Sequence, residues 1–173
     1  MKLQKASVEE FDKIRNFYWD LIDRTKDRSD TVGWKKGIYP SDGFLKESIE
    51  NGELYIIGSE GGIQASVILN NLWNEGYNGL DWGIDCPREK ILVPHALAVN
   101  PDVQGKGVGE KVVRNIIEIA KASGIKTVRL DILKGNIAAE RLYKKTGFSF
   151  VQSKTMFYED TGWTEFFMYE LIL

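Results

Sequence analysis

The stretch that decides the fold runs His95-Ala-Leu-Ala-Val-Asn-Pro-Asp-Val-Gln-Gly-Lys-Gly-Val-Gly109 and continues into Glu110-Lys-Val-Val-Arg-Asn-Ile-Ile-Glu-Ile-Ala-Lys-Ala-Ser-Gly124. Its opening belongs to an apolar strand over about 91–99, which Asn100-Pro101 must end because proline restricts the residue before it and cannot extend a sheet. Its close reads as a helix over 107–123. Val108, Val112, Val113, Ile116, Ile117, Ile119 and Ala120 form a broad apolar stripe, with Glu110, Lys111, Arg114, Asn115, Glu118 and Lys121 opposite. Between strand and helix lies Gln104-Gly105-Lys106-Gly107-Val108-Gly109. A helix N-terminus carries unpaired N–H groups and a partial positive charge, and glycines let a ligand approach the backbone. The turn therefore suits a pyrophosphate, with Lys106 as an added cation. A glycine turn without a ligand is the plain alternative.

Working outward, residues 3–6 read as a short strand, and Ser7 with Glu10 forms a capping box before a helix to about residue 26. Segment 27–40 reads as a loop or broken helix around Gly33, Gly37 and Pro40. Ser41 caps a second helix that stops at Asn51-Gly52. Strands over 53–58 and 62–70 flank a hairpin turn at Ser59-Glu60-Gly61-Gly62. Residues 71–89 make a long aromatic loop of the sort that carries function. After the central helix come a strand over 126–133, a helix over 136–146, and strands over 148–158 and 163–173 around Asp160-Thr161-Gly162. The order β-α-α-β-β-β-α-β-α-β-β implies a mixed sheet of about seven strands with helices on both faces.

The 173 residues, 43% of them hydrophobic, suffice for one domain with a core of its own, here taken as 1–173. With 23 basic and 25 acidic side chains the formal net charge is −2, so no overall field draws nucleic acid or an anionic membrane. No apolar run reaches the roughly 20 residues that span a bilayer, and the start Met-Lys-Leu-Gln-Lys-Ala is no secretion signal. One cysteine (Cys86) and one histidine (His95) make neither an internal disulfide nor a tetrahedral zinc site. No metal site and a cytoplasmic location are the expectations. Cys86 has no basic neighbour beyond Arg88 and needs no catalytic role.

Nucleotide motifs fail on spacing. A P-loop needs Ser or Thr after Lys106, where Gly107 stands. A dinucleotide fingerprint needs a small residue at 110 or 112, where Glu110 and Val112 stand, although Asp131 imitates its ribose-binding acid. About five residues also separate the strand from Gly105, whereas that fingerprint follows its strand at once.

The run 95–109 resembles the acetyl-CoA-binding motif of the GNAT superfamily of N-acetyltransferases, Gln/Arg-x-x-Gly-x-Gly/Ala, met by Gln104, Gly107 and Gly109. Asn136-Ile-Ala-Ala-Glu-Arg-Leu-Tyr143-Lys-Lys-Thr-Gly-Phe148 is similar to that family's second motif. Together they cover about residues 91–150. The resemblance implies a GNAT-like acyl-CoA N-acyltransferase fold with a mostly antiparallel sheet. It implies acetyl transfer from acetyl-CoA, by direct attack in a ternary complex, to a primary amine of a small molecule or peptide. It leaves the oligomeric state open, a homodimer included. A non-catalytic acyl-CoA sensor on the same fold is the rival, distinguished by CoA binding without turnover.

The same resemblance implies roles for single residues. Leu97, Ala98 and Val99 would face the pantetheine arm. The amides of Gly105, Lys106, Gly107, Val108, Gly109 and Glu110 would cradle the pyrophosphate beside Gln104. Asn136 would touch the CoA arm or cap its helix, and the two roles coexist. Tyr143 would protonate the departing thiolate. A phenol near 10 and a thiol near 8.5 are matched closely enough for that transfer. A core tyrosine is the alternative.

The base is more open. A lysine-like amine pays about 4–5 kcal/mol to be neutral at pH 7, an α-amine only about 1–1.5. His95 can titrate near neutrality, and strand alternation places it on one face with Val99. The glutamate that some relatives carry six residues before Val99 is replaced by Val93. Asp131 matches an acidic position that others use, or is a satisfied polar residue at a strand end. Trp34, Tyr39, Trp73, Tyr77 and Trp82, with Asp81 and Asp85, fall in the two loops placed to wall the acceptor site, where aromatic rings and carboxylates suit a cationic amine.

Overall fold

The computed structural model describes residues 2–27 and 33–173. Of the loop expected over 27–40, residues 28–32 lie outside the described part. The elements follow the expected order: β1 (Gln4–Lys5), α1 (Phe11–Thr25), α2 (Asp42–Glu50), β2 (Leu54–Ser59), β3 (Gly62–Asn70), β4 (Ile91–Val99), α3 (Val108–Ala122), β5 (Thr127–Leu133), α4 (Ile137–Lys145), β6 (Ser149–Tyr158) and β7 (Gly162–Ile172). Local signals set the boundaries. The Ser7 N–H donates to the Glu10 carboxylate at 2.9 Å, and the Phe44 N–H to Ser41 Oγ at 3.1 Å. The 71–89 loop holds a short 3-10 turn, Glu75–Tyr77, with a second at Arg88–Lys90.

The strands form one sheet in the order β1-β2-β3-β4-β5-β7-β6. Every neighbouring pair is antiparallel except β4–β5. That parallel ladder holds only Ile91 opposite Thr127 and Leu92 opposite Val128. Beyond Leu92 the two strands part, so the middle of the sheet opens into a cleft. Two irregularities in β4 sit at the parting. Pro94 has no N–H to give, and Ala96 adopts a left-handed φ of 50°. The β3–β4 register slips there: Ile68 faces His95 while Ser66 faces Ala98, so β4 carries one extra residue.

This bulge corrects one sequence expectation. Simple alternation puts His95 and Val99 on one face, but the extra residue reverses the phase, and His95 shares its face with Ala98. The bulge is held by Tyr18 of α1, fully buried, whose hydroxyl donates to the Ala96 carbonyl at 2.8 Å and lies 3.0 Å from Ser66 Oγ.

Helices cover both faces. Ile14, Tyr18 and Leu21 of α1 and Leu45 and Ile49 of α2 pack on Ile68, Ala96 and Ala98. On the opposite face α3 lays Val108, Val112 and Ile116 against Ala65, Val67 and Leu69, while Val113 and Ala120 meet Val128 and Leu130. Each such aliphatic side chain, fully buried, contributes about 1.5–3 kcal/mol. The remaining face, that of β5, β7 and β6, is covered by the 71–89 loop through Trp73, Tyr77, Leu80 and Trp82, packed on Val93, Met156, Phe166 and Met168.

Candidate functional site

The parting of β4 and β5 creates two cavities that share walls. The first, of about 510 Å³, runs along Leu97, Ala98 and Val99 and past Gln104, Gly105, Gly107, Val108, Gly109 and Glu110 to Asn136 and Leu142. The second, of about 280 Å³, is lined by His95, Asp131, Tyr143, Tyr158, Asp160, Trp34, Tyr39 and Trp73 among others. Trp34, Leu97, Asn136 and Ala139 border both. The cavities therefore meet at Leu97, beside the end of β4.

The first cavity fits the phosphate-bearing group that the glycine turn suggests. Gly105 and Gly107 have φ of 76° and 79°, where a side chain is strained, and a Cβ at either would meet nothing within 4 Å of protein. Gly107 is the N-cap of α3 and has no side chain to cap the first turn, so the opening amides face the groove without an internal partner from the cap. At Gly109 a Cβ would come within 3.3 Å of Leu142, which explains a glycine inside the first turn where α3 meets α4. Lys106 departs from expectation. Its N–H pairs with the Val103 carbonyl at 3.4 Å, its ammonium with the Asp102 carbonyl at 2.9 Å, and it does not line the groove. The Gln104 amide donates to the Val99 carbonyl at 3.0 Å and ties the turn to the strand end. Asn136 does cap α4, accepting from the Ala139 N–H at 3.1 Å, and borders both cavities as well.

The second cavity is built around Asp131. On β5, Val128, Leu130 and Ile132 point to α3 and α4, so Thr127, Arg129 and Asp131 point to the face under the 71–89 loop. The hydroxyls of Tyr77 and Tyr158 both donate to Asp131 Oδ2, each at 2.8 Å. Both bonds fall on one oxygen, and Asp131 lines the cavity. Burial pushes the carboxyl above its ordinary value; the two phenols oppose this, and the nearby charge of Asp160 adds to it. Tyr143, buried against Phe148 with ring centroids 5.2 Å apart, is pushed above the usual phenol value by burial and by the charge of Asp131. This alters the close match of phenol and thiol: the proton stays on Tyr143 until a strong base develops beside it.

His95 also departs from expectation. The Leu72 N–H donates to Asn70 Oδ1 at 3.0 Å and Asn70 Nδ2 donates to the Glu53 carboxylate at 3.1 Å, which fixes the amide. Asn70 Oδ1 and the Leu72 carbonyl then lie 2.9 and 3.0 Å from His95 Nε2, so Nε2 carries the hydrogen and Nδ1 the lone pair. Burial lowers the imidazole to about 4, well below neutrality, despite the Leu72 contact.

Among the aromatics, Trp34, Tyr39 and Trp73 wall the cavity. Trp82 does not. Its indole N–H donates to the Tyr77 carbonyl at 2.9 Å and its ring lies 4.6 Å from the Arg129 guanidinium, beneath the loop. Asp81 and Asp85 are exposed and outside the lining, whereas the buried Asp160 is in it. Sequence reasoning missed Asp160, whose Asp-Thr-Gly context reads as a turn, and Tyr158, which reaches Asp131 from 27 residues away. Among the described residues no group of three or more His, Cys, Asp or Glu is placed to hold a metal, and no helix is long and apolar enough to cross a membrane.

Comparison with known proteins agrees with this geometry. The N-alpha-acetyltransferase RimI of Mycobacterium tuberculosis is 31% identical over 68 residues, 39% of this chain and 41% of that protein. The [ribosomal protein bS18]-alanine N-acetyltransferase of Escherichia coli K12 is 30% identical over 69 residues, 40% of this chain and 47% of that protein. The chain thus spans less than half the length of these curated relatives. A GNAT-family acetyltransferase structure from Streptococcus agalactiae matches 99% of the chain and 95% of its own length, with a TM-score of 0.80 at 19% identity. A phosphinothricin acetyltransferase from Sinorhizobium meliloti in complex with AcCoA matches 99% and 88%, with a TM-score of 0.70 at 16% identity. At such identities these structures support the fold. The family model of the acetyltransferase (GNAT) family matches residues 12–148, most of the chain, and with the glycine turn at the head of α3 and the parted β4 and β5 it places this protein in that family.

Proposed function

We propose that the chain is a single-domain, acetyl-CoA-dependent N-acetyltransferase over residues 1–173, acting in the cytoplasm on a primary amine of a small molecule or peptide. The observation that carries this reading is the junction of the two cavities at Leu97. The groove along Leu97–Val99 and the first turn of α3 would hold CoA, with Gly105, Gly107, Val108, Gly109 and Glu110 around its diphosphate. Acetyl-CoA supplies the acetyl group as a thioester; the amine nitrogen forms the new C–N bond, the C–S bond breaks, and one proton passes overall from nitrogen to sulfur.

In this reading, the chain's own groups manage that proton. Asp131 takes it from the amine, and Tyr143, which lines the same cavity, gives one to the departing sulfur where the groove opens into it. The two act in a ternary complex, with CoA in the groove and the amine in the cavity that shares Trp34, Leu97, Asn136 and Ala139 with it. His95, with Nε2 committed to Asn70 and Leu72, shapes the wall and is assigned no proton transfer. Trp34, Tyr39 and Trp73 enclose the amine.

The test is release of free CoA from acetyl-CoA in the presence of an amine panel. Tyr143→Phe should lose mostly kcat and keep CoA affinity. Full turnover in that variant would remove the assigned acid. CoA binding by calorimetry with no turnover on any amine would favour the sensor instead. Stabilisation by NAD or NADP in preference to CoA would overturn the groove assignment.

A further inference from the structure

The acceptor cavity is charged in one direction. Two carboxylates border it, the half-buried Asp131 and the buried Asp160. Trp34, Tyr39, Trp73 and Tyr158 supply ring faces and edges between them. Among the described residues that line it there is no lysine or arginine, and its one imidazole, His95, donates Nε2 to acceptors of the protein. Lys35, an exposed side chain, acts on Asp160 and partly offsets the effect of burial there.

Such a lining welcomes an ammonium and penalises any anion beside it. An amino acid would carry its carboxylate two bonds from the reacting nitrogen, hence into the same enclosed space as Asp131. No cationic side chain among the described lining residues would compensate it. The same molecule without its carboxylate would meet only favourable partners, aromatic faces for its body and carboxylates for its nitrogen. Specificity would then come from repulsion of the acid as much as from attraction of the amine. The volume of about 280 Å³ suits a compact body.

Resting on the reading of the protein as an N-acetyltransferase, we propose that its acceptor is a compact alkyl or arylalkyl primary amine with no carboxylate near the reacting nitrogen, and that free amino acids are rejected. The test uses the wild-type chain and pairs that differ by one carboxylate: phenethylamine with phenylalanine, tyramine with tyrosine, putrescine with ornithine. In each pair the decarboxylated member should be preferred by about 100-fold in kcat/KM, as expected for like charges some 6 Å apart at an effective dielectric near 20.

Equal or reversed preference within the pairs overturns the proposal. The same pairs titrated calorimetrically into the CoA-saturated protein separate it from the reading on which it rests. A binding preference for the amines without turnover would sink the enzymatic reading and leave the cavity's selectivity standing. Absence of binding by every amine would overturn the selectivity, even if free CoA were released with a larger peptide acceptor.

Discussion

Two phenols, those of Tyr77 and Tyr158, donate to one oxygen of the half-buried Asp131 carboxylate. Each phenol stabilises the ionised form and so lowers the pKa that burial and Asp160 raise. Replacing Tyr158 with phenylalanine removes one donor, and the carboxyl should rise further. If Asp131 is the base, the acid limb of the kcat/KM profile should move to higher pH in Tyr158→Phe, with the plateau rate reduced less than in Asp131→Asn. For the latter, loss of a general base should cost about 10²–10⁴ in turnover while CoA binding is kept. A Tyr158→Phe limb that does not move would detach Asp131 from the rate. Neither phenol was legible as a partner of Asp131 in the sequence, because the three residues come from β5, β6 and the 71–89 loop. Their meeting depends on strand register, which a local reading does not contain.

His95 gives a second test at the same scale, in stability. Its folded pKa of about 4 lies below the ordinary 6.5, so between those values the unfolded chain binds the proton and the folded chain does not. Stability from this group is therefore complete above pH 6.5 and falls as pH drops toward 4, by at most about 3 kcal/mol. His95→Gln can keep a donor toward Leu72 and has no proton to gain. Denaturant midpoints measured from pH 7.5 to 4.5 should fall more steeply in wild type than in the variant. Parallel curves would mean that the imidazole is not buried neutral.

At the scale of elements, what was legible is what repeats locally. The α3 stripe, the Ser41 cap and the glycine turn before α3 each follow from a few adjacent residues, and α2 and α3 lie within a residue of their expected bounds. The bulge at Ala96 was not legible, since alanine has no intrinsic preference for φ of 50° and the twist comes from Tyr18 across the sheet. The α3 N-cap gives the sharper prediction. Gly107→Ala would place a Cβ on a left-handed residue, costing about 1–2 kcal/mol, with no protein atom within 4 Å to clash. The open direction is the groove. CoA affinity should drop by about tenfold or more, since every 1.4 kcal/mol of lost preorganisation is a factor of ten, with the amine KM little changed. Calorimetry with CoA and initial rates at saturating acetyl-CoA separate the two effects.

For the whole molecule the question is what holds the 71–89 loop where a helix could have lain. Thr127 and Arg129 precede Asp131 on the same face of β5 and fasten that loop. Glu170 of β7 accepts from Thr127 Oγ1 at 2.9 Å, from Arg129 Nε at 2.9 Å and from the Gly83 N–H at 2.6 Å, and Arg129 also donates to the Ile84 carbonyl. Both charges are nearly inaccessible. Removing one partner of a buried pair costs about 3–5 kcal/mol because the other is left uncompensated, whereas removing both can cost little. Glu170→Ala should therefore destabilise the protein by about that amount and loosen Trp73 from the acceptor cavity and Tyr77 from Asp131, so the amine KM should rise and the acid limb assigned to Asp131 should shift. Arg129→Met with Glu170→Leu should recover most of the stability in urea unfolding while the loop still lacks its Gly83 and Ile84 anchors. If amine KM recovers together with stability, the ion pair serves folding alone. If it stays high in the stable double variant, the pair is what keeps the acceptor wall over Asp131.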